Sequence, residues 1–336
     1  MTSTLPLSDR LAHEVGEART PATPVESPAS APQAADPAAA TFPADRPVGR
    51  LLNRRLNRAT RADQGKGQRS LRGLIGLTLV GLIVAMSLAA PLLAPFGPEE
   101  YDLLSIYAAP SSGHPFGFDE IGRDVLSRVI WGGRPVLLVT VLGTALSVVL
   151  GVILGFAAAG GGKITDTVVS RIADIQLSIP ALIFALLAIA MVGSKLSNLV
   201  IVLALASWPL HFRVVRAQIL LTRRLPYVEA SRLSGSGPLF RARKHLLPSI
   251  TPLLAVTTSV TASTVAISAT GLSYLGLGVI TADWGRMIAS SKGHLADAPW
   301  APLYPSLALV TFLLGIQLLA DAISARATDA VKEVRQ

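Results

Sequence analysis

Six stretches of roughly 17 residues or more, near 73–94, 135–158, 175–194, 196–212, 250–272 and 302–320, contain no Asp, Glu, Lys or Arg. A helix that long and apolar crosses the hydrocarbon of a bilayer, whose interior satisfies no backbone polar group from outside the segment. This one feature predicts an all-α integral membrane protein of about six transmembrane helices. The rest of the composition agrees: 51% of residues are hydrophobic, 15% are charged, and the mean hydropathy is +0.52, too apolar for a soluble domain of this size.

The charges between the runs orient them. Lys163 and Arg171 follow the second run, residues 213–244 follow the fourth, and Arg326, Lys332 and Arg335 follow the sixth. The alternate segments hold fewer basic residues: Arg123, Arg128, Arg134, Lys195, Arg286 and Lys292. The positive-inside tendency therefore predicts both termini in the cytoplasm, with Trp131, Trp284 and Trp300 near the outer interface. The net charge of +9 is explained by this topology; the basic residues form no single patch interleaved with aromatics, so no nucleic-acid partner is expected.

Residues 1–70 read as a cytoplasmic tail. The first 50 or so are rich in Ala, Pro, Ser and Thr and lack periodicity, which predicts disorder, and basic residues between Arg50 and Arg72 adjoin the first apolar run where anionic headgroups lie. That run starts only near Gly73, so no secretory signal is expected. Residues 71–325 form the expected membrane domain and 326–336 a second cytoplasmic tail.

The polar stretch from Tyr227 to Pro248 predicts a helix, a tight elbow and a second helix. Pro226 can open the first, Gly235 can end it at a positive φ, Ser236 or Gly237 can cap the second, and Pro238 can occupy its first position. Glu229, Ala230 and Ser231 put one charge and two small residues on the first helix, while Arg241, Arg243, Lys244 and His245 accompany Leu239, Phe240, Leu246 and Leu247 on the second.

Glu229-Ala230-Ser231-Arg232, the elbow glycine Gly235 and Leu247-Pro248 resemble the EAA loop of ATP-binding-cassette (ABC) importer permeases, with Ser231 in place of a second Ala. In that family the loop docks on the ATPase subunit, so Glu229, Ala230, Ser231, Arg232, Gly235, Leu247 and Pro248 are the implied coupling residues. A second string, residues 114–128, closely resembles a segment of the dipeptide, oligopeptide and nickel branch, specifically its C-type subunit; Phe118 replaces the usual Thr. Read from its own periodicity, with Ile121, Val125, Val129 and Ile130 at helical spacing and Asp124 four residues before Arg128, it predicts an external amphipathic helix. Asp119, Glu120, Gly122, Arg123, Asp124 and Arg128 are its candidate site residues.

The resemblance covers about residues 71 to 325 and implies a type I ABC importer permease fold. It implies a homologous second permease, two ATPase subunits or domains, and an extracytoplasmic solute-binding protein as partners, in the bilayer of a bacterial cell membrane. ATP and Mg²⁺ would be held by the ATPases, and this chain by itself would carry no cofactor and no catalytic residue. Short peptides are the implied cargo, with nickel or another small solute as the alternative.

Other chemistries find little support. Cysteine is absent, and the five histidines, at 13, 114, 211, 245 and 294, share no metal-ligand spacing. Gly160-Gly161-Gly162-Lys163 lacks the first glycine of a phosphate-binding loop, and Ile164 stands where Ser or Thr must reach Mg²⁺. It reads as the turn ending the second span. An ion-coupled secondary transporter would need ionisable groups deep in the spans, and a membrane enzyme a Ser–His pair, paired carboxylates or metal ligands there; the sequence suggests none of these.

Overall fold

The computed structural model describes residues 71–279 and 281–333, with side chains to residue 324. The expected 1–70 tail lies outside the described residues, as does the end of the expected 326–336 tail. Eleven helices account for most of what is described, and no named strand occurs among those residues.

Helix α1 spans Leu71–Leu88 and is followed by the single turn α2, Ala90–Leu93. An irregular segment leads to α3, Val125–Gly160. Helices α4, Gly162–Leu177, and α5, Ala181–Val192, are bent by 90° about a short break. Helix α6, Leu196–Thr222, leads to the elbow of α7, Pro226–Leu233, and α8, Pro238–Arg241. A π-turn, Ala242–Leu246, joins α8 to α9, Leu247–Tyr274. Helices α10, Trp284–Ser291, and α11, Trp300–Glu333, complete the chain.

Among the described residues, five helical segments are long and apolar enough to cross a membrane, and the bent α4–α5 pair supplies the sixth span if it is counted as one. The third expected span is thus corrected. At about 1.5 Å per residue α5 is too short to cross a core of ~30 Å by itself. Pro180 stands at the N-cap of α5, where its ring ends any continuous helix from the preceding turn. Pro209, by contrast, lies inside an unbroken α6. The second expected span is also extended, since α3 starts ten residues before Pro135 and passes through it.

A stripe of small buried residues on α3, Gly143, Ser147, Gly151, Gly155 and Ala159, recurs every fourth position and brings α6 close. A Cβ added to Gly155 would stand 2.6 Å from Cγ1 of Val215, and one added to Gly151 would meet the backbone nitrogen of Phe212 at 2.9 Å. Helices α1 and α11 approach in the same manner through Gly76 and Gly315. One cluster of the core gathers Val125, Val129, Val136, Met287 and Phe312 around Trp284. Trp284 is therefore not the interfacial ring expected of it: it is buried and its indole N–H donates to the Val129 carbonyl at 2.8 Å.

Candidate functional site

The elbow is built by local rules. Pro226 opens α7, and the helix closes with Gly235 at φ +83°. The Gly235 N–H donates to Arg232 O at 3.0 Å and the Ser236 N–H to Ser231 O at 3.2 Å, the paired bonds of a Schellman stop. Gly237 caps α8 in an extended conformation and Pro238 takes its first position, as the sequence predicts. Pro248 has no N–H and its ring crowds the preceding turn, and the backbone immediately before it widens: Leu247 N–H bonds back to Ala242 O, a five-residue span.

Side chains brace the two arms. Ser231 Oγ lies 2.8 Å from Ser236 Oγ and 3.2 Å from His245 Nε2, and Ser236 Oγ donates to Ser231 O at 2.7 Å. The His245 ring meets those of Tyr227 and Phe240 edge-on, at 5.5 and 6.2 Å. The serine in the second alanine position is therefore the residue that joins α7 to the π-turn. Glu229 is exposed and stands 3.6 Å from Arg232 on the next turn. Around them Leu233 and Leu239, each 81% exposed, and the half-exposed Tyr227, Phe240 and Leu247 leave an apolar surface uncovered within this chain.

Residues 114–128, expected to form an external amphipathic helix, depart further from expectation. Residues 114–124 are turns and isolated bridges, Tyr101 with Arg123 and Phe118 with Asp124, and helix begins only at Val125. Gly122, at φ +75°, lies against the Asp102 backbone so tightly that a Cβ would collide with the Asp102 carbonyl. Asp124 is the N-cap of α3, accepting from Ser127 N–H at 2.7 Å and lying 3.0 Å from His114 Nδ1. The expected Asp124–Arg128 pairing is replaced by one between Arg128 and Asp119.

Asp119 also accepts Arg123 Nε at 2.8 Å and the Ile121 and Arg123 backbone N–H groups at 3.1 and 2.9 Å. The other Arg123 nitrogens reach Glu99 at 3.1 Å and Glu120 at 2.9 Å. All six candidate residues of this segment are thus brought to one clasp at the head of α3. Burial of Asp119 and Arg128 makes it an internal brace.

The structure adds a pair that sequence reading missed. Ser147 Oγ and His211 Nδ1 lie 3.1 Å apart between α3 and α6, both fully buried, with His211 Nε2 unpaired. Their separation of 64 positions conceals the pair in the sequence, although Ser147 on the small-residue stripe was the available signal. Among the described residues no carboxylate orients the imidazole, and the serine has no exposed surface, so this pair lacks what nucleophilic catalysis requires.

A family model described as the binding-protein-dependent transport system inner membrane component matches residues 147–332, which include the whole elbow. The chain belongs to this permease family. A second model, the N-terminal transmembrane domain of oligopeptide transport permease C, matches residues 71–110 of the permease. The clasp residues at 119–128 fall between the two matched ranges. A Brucella ovis protein provisionally named peptide permease protein is 37% identical over 254 residues, 74% of this chain and 84% of that protein. The di/tripeptide transport system permease protein DppC of Pseudomonas aeruginosa is 34% identical over 256 residues, again 74% of this chain and 84% of the relative. The permease also resembles in fold a chain from inward-facing conformations of the MetNI methionine ABC transporter, with TM-score 0.51 and 23% identity over 62% of this chain and 99% of that one. The permease is a multi-pass membrane subunit, and its family is one of non-catalytic transport components.

Proposed function

We propose that this permease forms half of the translocation path of an ATP-driven importer of short peptides and receives its driving force through the elbow. The relatives named for peptide and di/tripeptide transport support the cargo class. In this reading a homologous second permease completes the path, two ATPase subunits or domains hold ATP and Mg²⁺, and a solute-binding protein delivers cargo from outside. Both termini and the elbow are cytoplasmic, residues 71–325 form the membrane domain, and the outer clasp faces the binding protein's side.

One observation carries the docking assignment. The elbow is closed rigidly by its own hydrogen bonds, yet Leu233, Leu239 and Phe240 stand exposed beside Glu229. A helix pair braced internally and apolar externally fits a surface that another protein covers. Glu229→Ala is the test. As a surface change in a free chain it would alter stability by at most ~0.5 kcal/mol, whereas loss of a charge-assisted interface contact costs about 2–5 kcal/mol. Co-purification of the ATPase subunits and peptide-stimulated ATP hydrolysis in reconstituted membranes should both fall. Unchanged values would remove the docking role of Glu229.

A further inference from the structure

Between the elbow and the ends of two spans lies a cleft of about 570 Å³, within the ~300–1,000 Å³ usual for small-molecule sites. Its polar wall carries Arg223, Arg232, Arg241 and Glu229, and its apolar wall includes Phe156 and Ile219. We propose that this cleft binds the phosphate of an anionic lipid headgroup, held by Arg223 and Arg241, with the lipid's apolar portion against Phe156 and Ile219.

The charge balance favours an anion. Glu229 is 3.6 Å from Arg232, which offsets one of the three guanidiniums. Arg223 donates to the Ala159 carbonyl at 2.5 Å, a contact that positions the side chain at the end of α3; Asp166 acts on its charge from a distance, and no direct ion pair with it is formed among the described residues. Arg241 has no ion-pair partner among the described residues. The nearby carboxylate of Asp166 is engaged in a bidentate contact with Arg216, one arm at 2.6 Å. Two cations thus face one cavity without a carboxylate of their own.

Position selects the source of the phosphate. The cleft lies where α3 and α6 end, at Gly160 and Thr222. Helices that cross a hydrocarbon core reach the headgroup layer at such ends, whichever leaflet it is. The spans contribute Phe156 and Ile219 to the apolar lining and the elbow adds Val228, Pro238 and Leu246, while the basic lining comes from Arg223 at the end of α6 and from Arg232 and Arg241 of the elbow, so that apolar and cationic surfaces adjoin as acyl chain and headgroup do in a phospholipid. Free phosphate would use only the basic lining.

The test is native mass spectrometry of the full chain in its complex, titrated with phosphatidylglycerol or with phosphatidylcholine of identical acyl chains. Phosphatidylglycerol should be retained preferentially, with Arg241→Gln weakening retention about fivefold and the Arg223→Gln/Arg241→Gln double variant about thirtyfold, as expected for basic contacts near a membrane surface. Arg241→Lys should recover most of the binding. The Arg241 side chain makes no hydrogen bond or ion pair among the described residues, so its variant remains informative if the double variant misfolds. Equal retention of the two lipids, or variants indistinguishable from the parent, would overturn the proposal. Displacement of the lipid by millimolar inorganic phosphate would also overturn it, by assigning the cleft to the free anion. The lipid proposal is read from retention in the Arg223 and Arg241 variants and the docking proposal from ATPase co-purification with Glu229→Ala, so the two fail on different variants and different measurements.

Discussion

Ser231 Oγ lies 3.2 Å from His245 Nε2, joining the first arm of the elbow to the π-turn of the second. Ser231→Ala keeps the small size of the site and removes both this contact and the one to Ser236. A side-chain hydrogen bond of this kind contributes about 0.5–1.5 kcal/mol. The expected result is a full-length, correctly inserted permease whose elbow amides exchange several-fold faster. Unaltered exchange across residues 226–246 would show that the brace contributes nothing to the elbow's rigidity.

Gly235 separates two effects. Its φ of +83° suits glycine, but an added Cβ would meet nothing within 4 Å. Gly235→Ala should therefore cost only about 1 kcal/mol of backbone strain, and ATPase co-purification should survive. Gly235→Pro cannot adopt that φ and removes the N–H bonded to Arg232, so the second arm should be misdirected and ATPase binding lost. Equal behaviour of the two variants would show that the stop does not set the angle of the elbow.

Arg128 is 1% exposed and Asp119 2% exposed, and they form an ion pair at the head of α3. Removing one partner of a buried pair leaves the other uncompensated, at about 3–5 kcal/mol. Arg128→Leu should sharply lower the thermal midpoint of the purified permease. Replacing both residues with apolar ones should recover less than a simple pair would, because Arg123 and two backbone N–H groups also rely on Asp119. A double variant as stable as the parent would reduce the clasp to a single isolated contact.

Asp283 caps α10, accepting from Gly285 N–H at 2.8 Å, and its burial pushes its pKa upward. The proton is thus held more tightly in the fold than in the unfolded chain, where it leaves at about pH 3.9. The stabilisation is fully present below that value and lost as pH rises through the folded pKa. Asp283→Asn keeps a capping oxygen without a charge, so relative to the parent it should gain stability at pH 7 and lose that advantage at pH 4. Asp283→Ala should be less stable than Asn at both. Thermal midpoints in micelles at the two pH values give the answer; an Asn-to-parent difference that does not vary with pH would contradict it.

Orientation is open to direct measurement because the chain has no cysteine. Single cysteines at 119, 283 and 292 should react in intact cells with an impermeant maleimide only as far as their burial permits, with 292 the most accessible. A cysteine at 229 should react only after permeabilisation. Labelling at 229 in intact cells would invert the topology.

The spans were legible because absence of charge over about 17 residues has few other meanings. Their ends were less so. Gly132, Gly133 and Pro135 look like interruptions, yet α3 begins at Val125 because glycines let Ser87 and Trp284 approach and because Asp124 caps the first turn. That cap, an Asp directly before an apolar run, was readable; the helical spacing of Ile121 with Val125 and Val129 masked it. The elbow was legible residue by residue, since Pro226, Gly235 and Pro238 each act locally. What escaped was the set of long-range partners: His245 with Ser231, Ser147 with His211, and Asp119 with Arg128 all depend on side-chain positions that no periodicity encodes.

From Pro238 to Tyr274 the helix is unbroken over 37 residues, with the π-turn beside Pro248 as its one widening. At 1.5 Å per residue that is a rod of about 55 Å. A tilt of only ~5° about one end moves the other by about 5 Å on that length. Whatever grips Leu239 and Phe240 therefore holds the short handle of a lever whose far end lies beside the loop to Trp284, and motion delivered on one side of the membrane reaches the other without passing through a flexible joint.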